Sequence, residues 1–163
     1  MRALQRFNEF LVAVGSAGTV LFILVIAVVV PYEVLGRYIF RQMTIWSGEV
    51  STYALVWASM LGGAVGLKKG YSINMAAVVE AVPPAVAKAL KLLGYLYALF
   101  FFGVMCGYGV FQTVYHWHQT SPAMGMVMSI PYAALPTGFF IMFSITLEEF
   151  IGFIGPGAKG GGR

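Results

Sequence analysis

Between Lys91 and Glu148 the chain runs for 56 residues without a formal charge, and this stretch limits the fold more than any other feature. As one helix it would reach about 84 Å, far beyond the roughly 30 Å of bilayer hydrocarbon. It therefore has to fold back within itself, and polar residues mark the place. His116, Trp117, His118, Gln119, Thr120, Ser121 and Pro122 form a polar break, and Ser129, Ile130 and Pro131 restart a helix. The run divides into spans at about residues 90–114 and 130–154.

Two shorter charge-free runs precede it. Residues 10–32 lie between Glu9 and Glu33 and reach about 34 Å as a helix. Arg2 and Arg6 in front of them invite comparison with a signal peptide, whose apolar core is only about 7–15 residues. The length of the run and the spans that follow favour a retained first span. The second run, residues 50–67 between Glu49 and Lys68, is at the short end of the range for a crossing, and with Glu49 opening its helix the span is 49–67.

Composition supports the bilayer as solvent. Only 10% of the residues are charged, none is Asp, and the mean hydropathy is +0.83. A water-facing surface needs about 25% charge. The net charge of +4 does not point to nucleic acid, because the ten Lys and Arg fall at the edges of the apolar runs. That placement suits topology signals and contact with anionic lipid. The fold class expected is an all-α integral membrane protein with four transmembrane helices in one domain, residues 1–154. A short amphipathic helix at 72–82, closed by Pro83 and Pro84, is expected to lie along the interface, since about 16 Å of helix cannot cross. The Gly-rich residues 155–163 read as a disordered tail.

Orientation follows from the basic residues. With both ends in the cytoplasm, eight of them (Arg2, Arg6, Lys68, Lys69, Lys88, Lys91, Lys159 and Arg163) are inside and two (Arg37 and Arg41) are outside.

Two sets of residues are candidates for contact. Ala54, Ala58, Gly62 and Gly66 recur every four positions, and Gly103 and Gly107 repeat the pattern in the third span; such faces let another helix approach closely, within the chain or from a partner. At the outer edge, Glu33, Arg37 and Arg41 stand four residues apart, with Trp46 as an aromatic anchor and Glu49 opening the second span. Glu33 and Arg37 suit an i,i+4 ion pair, and Glu49 is placed to meet Arg37 or Arg41 as a clamp between spans one and two.

Residues that do chemistry are scarce. His116 and His118 point about 200° apart on a helix and cannot share one metal from it. Cys106 has no second cysteine, so no intrachain disulfide forms. None of the four spans carries an ionisable residue near its middle, where coupled transporters place theirs. No cofactor, metal or catalytic residue is expected, and the chain does not read as an enzyme.

The order of features resembles the small permease subunit of TRAP transporters, the DctQ-like family. The resemblance rests on Tyr32-Glu33-Val34-Leu35-Gly36-Arg37-Tyr38-Ile39-Phe40, Trp46-Ser47-Gly48-Glu49, Leu55-Val56-Trp57, Leu61-Gly62-Gly63-Ala64 and Lys68-Lys69-Gly70. It continues through Ser121-Pro122-Ala123-Met124-Gly125-Met126, Ile130-Pro131-Tyr132 and Leu135-Pro136-Thr137-Gly138, and covers about residues 10–152. The chain departs from the family pattern at Gly48, Ser51-Thr52, Ser72 and Ala76-Ala77. The resemblance implies a sodium-coupled tripartite importer of carboxylate-bearing solutes in a bacterial inner membrane. Its implied partners are a large permease subunit and a periplasmic binding protein, besides membrane lipids, and this chain would be the scaffold. Two other classes are weighed against it. A self-sufficient four-span exporter needs an acid embedded in the first span, and residues 10–32 have none. An anchor for a redox enzyme would place haem on His116 or His118.

Overall fold

A computed structural model describes residues 2–41, 45–70 and 83–154. The expected interfacial helix at 72–82 and the expected tail at 155–163 lie outside the described residues. Among the described residues the α-helices are α1 (Arg2–Tyr38), α2 (Ile45–Lys68), α3 (Pro84–Tyr115), α4 (Ser129–Tyr132) and α5 (Ala134–Ile154), with a 3-10 turn at His116–His118. Counting α4 and α5 as one crossing, four helical segments are long and apolar enough to span a membrane. The protein is a multi-pass, all-helical membrane protein.

The helices outrun the charge-free stretches. At 37 residues α1 is about 55 Å long and carries charges at both ends. A helix that ended at the last apolar residue would leave backbone groups unpaired at the bilayer edge, so continuing it is favourable. α3 opens on Pro84, where a missing N–H costs no hydrogen bond. The last crossing is broken at Ala133, between α4 and α5. Pro136 has no N–H to give the carbonyl of Tyr132, one helical step of four residues back.

The helices form a row rather than a closed bundle. α1 packs along α2, α2 on α5, and α5 on α3; α1 meets α5 only lightly, and α3 has no contact with α1 or α2 among the described residues. Small residues make the row tight. Side-chain atoms of Val65, Leu61 and Thr19 crowd the faces of Gly15, Gly18 and Gly62 between α1 and α2, and Met60 of α2 presses on Gly138 of α5. Leu61, Ala64 and Leu67 of α2 meet Ile141 and Ile145 of α5 in the one fully buried apolar cluster among the described residues. The two outer helices, α1 and α3, expose most of their apolar side chains.

Candidate functional site

Charged and polar side chains gather at the two ends of the row. At the end formed by the α1–α2 connection, Arg37 Nη2 lies 2.9 Å from Glu33 Oε1 one turn earlier. The two are in the order that the helix dipole favours. Tyr32 and Trp46 face each other across α1 and α2 with ring centroids 6.1 Å apart. Arg41 adopts a left-handed φ of 49° as α1 ends.

Glu49 does not meet Arg37 or Arg41. Its carboxylate is taken by the segment between α3 and α4: the Ser121 hydroxyl donates to Oε2, and the backbone N–H groups of Ala123 and Met124 donate at 3.1 and 3.3 Å. This segment is itself braced as a small hairpin. Met128 N–H bonds the Gln119 carbonyl and Ser121 N–H the Met126 carbonyl, both at 2.8 Å, and Gly125 turns at φ +65°. Backbone N–H groups that converge in a turn make an anion-binding concavity, and here the anion is part of the same chain.

The hairpin is tied down at further points. Ser129 Oγ donates to the Thr113 carbonyl at 2.7 Å, one of the carbonyls that the end of α3 leaves unpaired. Trp57 Nε1 donates to the Ile130 carbonyl at 3.2 Å while its ring stacks on Phe22. His116 Nδ1 lies 2.9 Å from the Gln112 carbonyl, so that nitrogen carries the proton, and the ring stacks on Tyr132 at 4.3 Å. His116 thus serves as a cap on α3.

At the opposite end a second cluster joins three helices. Asn8 of α1, fully buried, donates to the Ser144 carbonyl at 3.1 Å and to Glu148 Oε2 at 2.7 Å, and accepts from Ser144 Oγ at 2.6 Å. Lys68 at the end of α2 reaches the same Glu148 oxygen at 2.7 Å. Asn8, Ser144, Glu148 and the pairing role of Lys68 were not among the residues expected from sequence. The available signal was weak: Asn8 abuts a charge-free run, and Lys68 and Glu148 end two spans on the same side.

The small-residue positions divide. Ala54 and Ala58 are buried, Gly62 faces Thr19 of α1, and Gly66 is half-buried. Gly103 stands 3.7 Å from Phe143 of α5 by its would-be Cβ, whereas Gly107 has open space beside it. No group of three or more metal-ligating side chains occurs among the described residues.

Comparisons with known proteins agree on one likeness. The family model described as "Tripartite ATP-independent periplasmic transporters, DctQ component" matches residues 26–154. The chain is 25% identical over 111 residues to the C4-dicarboxylate TRAP transporter small permease protein DctQ of Rhodobacter capsulatus, covering 67% of this chain and 49% of that protein. It is 25% identical over 111 residues to the ectoine TRAP transporter small permease protein TeaB of Halomonas elongata, covering 67% and 58%. A third relative, the isethionate TRAP transporter permease protein DctMQ of Oleidesulfovibrio alaskensis, is 23% identical over 144 residues, covering 83% of this chain and 22% of that protein. The matched region spans about half the length of the first two relatives.

Proposed function

The chain belongs to the DctQ component family of tripartite ATP-independent periplasmic transporters, and on that premise we propose that it is a rigid, non-enzymatic scaffold in a sodium-coupled importer. In this reading it braces a large permease subunit, which holds the substrate and sodium sites, and helps dock a periplasmic binding protein. The observation that carries the proposal is where the charges sit. The Lys, Arg and Glu side chains that the described residues join by ion pairs or hydrogen bonds lie at the two ends of the row, in Glu33–Arg37, Glu49–Ser121 and Lys68–Glu148–Asn8. A proton or sodium pathway needs such groups in the middle of the membrane.

The positive-inside count supports an orientation with the Lys68 end in the cytoplasm and the Glu49 end in the periplasm of a bacterial inner membrane. The braced hairpin then faces the compartment of the binding protein. Relatives named for C4-dicarboxylate, ectoine and isethionate share this likeness, which fits solute recognition lying in another subunit. The solute class proposed for this chain's complex is a carboxylate-bearing compound.

Reconstitution tests the proposal. Liposomes containing this chain alone are expected to show no sodium-driven uptake, and uptake is expected once the large subunit and the binding protein are added. Gradient-driven uptake by this chain alone overturns the scaffold reading.

A further inference from the structure

The hairpin between α3 and α4 aims three donors at one place. The Ala123 N–H addresses Oε1 of Glu49, and the Ser121 hydroxyl and Met124 N–H address Oε2. Pro122 lies between Ser121 and Ala123 with a fixed φ and no N–H, so the next two N–H groups are the ones that the turn presents. Ser121 is only 4% exposed, and its hydroxyl donates to no other acceptor among the described residues. All three donors are neutral. Arg37, the cation whose partner is described at this end, is paired with Glu33.

The contacts that shape this turn do not involve Glu49. Ser121 N–H bonds the Met126 carbonyl, Gly125 N–H the Ser121 carbonyl and Met128 N–H the Gln119 carbonyl. Ser129 ties the hairpin to α3 through the Thr113 carbonyl. Trp57 ties it to α2 through the Ile130 carbonyl, and the Tyr53 hydroxyl does so through Met128 Sδ at 3.3 Å. Glu49 makes no ion pair among the described residues. Its side chain can therefore rotate out of the turn without breaking any other contact. What it leaves behind is a buried hydroxyl and two N–H groups without an acceptor, which is costly until another acceptor arrives.

The geometry selects the class of acceptor. Converging backbone N–H groups favour an anion, and donors bond a charged acceptor about twice as strongly as a neutral one. Here the donors are divided between two oxygens of one planar group. A carboxylate meets both sets, whereas chloride offers a single centre. The turn is open to solvent on one side: Met124 is 42% exposed, and Glu49 and Ala123 are half-buried.

We propose that the α3–α4 hairpin is a carboxylate-binding site that Glu49 fills from within the chain, and that a small carboxylate anion from solution takes its place when the Glu49 side chain rotates away. The two ligands exclude each other, so an external carboxylate seated there frees the first turn of α2 from the hairpin. The donors address the carboxylate and nothing beyond it, so the site does not distinguish one carboxylate-bearing solute from another. It stands apart from the scaffold reading, because every donor belongs to this chain.

The test uses the full chain in detergent, sodium acetate as the probe and NMR as the readout. In Glu49→Ala the amide hydrogens of Ala123 and Met124 are expected to exchange faster than in wild type. Acetate at ten times its Kd should slow them about tenfold, as 1 + [L]/Kd requires. Sodium chloride and sodium sulfate at equal ionic strength should not, and adding Ser121→Ala should abolish most of the acetate effect. No slowing by acetate, equal slowing by chloride, or full slowing without the Ser121 hydroxyl overturns the site. Wild type tests the exchange. The Glu49 carboxyl carbon resonance is expected to move toward that of a free glutamate as acetate rises, at higher concentrations than the variant needs, because Glu49 competes from within the chain. A resonance that acetate leaves in place makes Glu49 a fixed latch and overturns the exchange. Should Glu49→Ala fail to fold, Glu49→Ser replaces it, and the wild-type titration stands by itself.

Discussion

Glu49 of α2 and Ser121 of the α3–α4 hairpin are 72 residues apart in sequence and hydrogen-bonded in the fold. Ser121 is buried and also accepts from Met124 N–H at 3.2 Å, so one hydroxyl couples the carboxylate to the turn that cradles it. Ser121→Ala removes a donor to a charged group and is expected to lower the melting temperature of the detergent-solubilised chain by several degrees. Glu49→Gln should do the same, because an amide keeps the shape and loses the charge that two N–H groups and a hydroxyl address. Equal melting temperatures for wild type and both variants would mean that the contact does not brace the hairpin.

The Arg37 side chain gives the opposite expectation. Its partner is Glu33 on the same helix, and the guanidinium side chain is 53% exposed. Exposed i,i+4 pairs contribute about 0.3–0.5 kcal/mol. Arg37→Ala should therefore leave thermal stability nearly unchanged and, if Arg37 serves a partner, should show its effect in binding-protein affinity. A drop in melting temperature as large as that of Ser121→Ala would show a tie from Arg37 to α2 that this geometry lacks.

These two residues show what the sequence can and cannot reveal. The four crossings are legible because a charge-free run has only one solvent that suits it, and the Glu33–Arg37 pair is legible because helix periodicity sets both positions. The partner of Glu49 is not legible that way. It depends on a hairpin whose donors are backbone N–H groups, which every residue but proline carries. Asn8 and Glu148 stayed hidden for a related reason: the packing of α1 and α2 against α5 brings together groups at opposite ends of the chain. The small-residue faces were visible as faces, but their neighbours were not.

The cluster at the Lys68 end should behave as one unit. Glu148 Oε2 accepts from both Asn8 and Lys68 at 2.7 Å. Losing one partner of a half-buried charged group costs about 1–3 kcal/mol. Lys68→Ala and Glu148→Ala are each expected to destabilise by that order, and the double variant by less than their sum, because each single change already removes the ion pair between them. Chemical denaturation in mild detergent measures all three. Strict additivity would show that the two groups do not interact in the folded protein.

Two glycines two residues apart on α3 provide the sharpest contrast in packing. A Cβ at Gly109 would stand 2.8 Å from the backbone nitrogen of Pro136 and 2.9 Å from its ring, whereas one at Gly107 meets nothing within 4 Å. Backbone atoms and a proline ring cannot rotate away, so Gly109→Ala has to push α5 from α3 or bend one of them. Overpacking of this kind costs about 1–3 kcal/mol. The same change at Gly107 keeps all internal contacts and removes an unfavourable helical glycine, so it should be neutral or slightly stabilising for the isolated chain. Thermal unfolding of the two alanine variants side by side checks the register of α3 on α5. If Gly107→Ala were the damaging change and Gly109→Ala the harmless one, α3 would have to be rotated so that Gly107 rather than Gly109 faces α5.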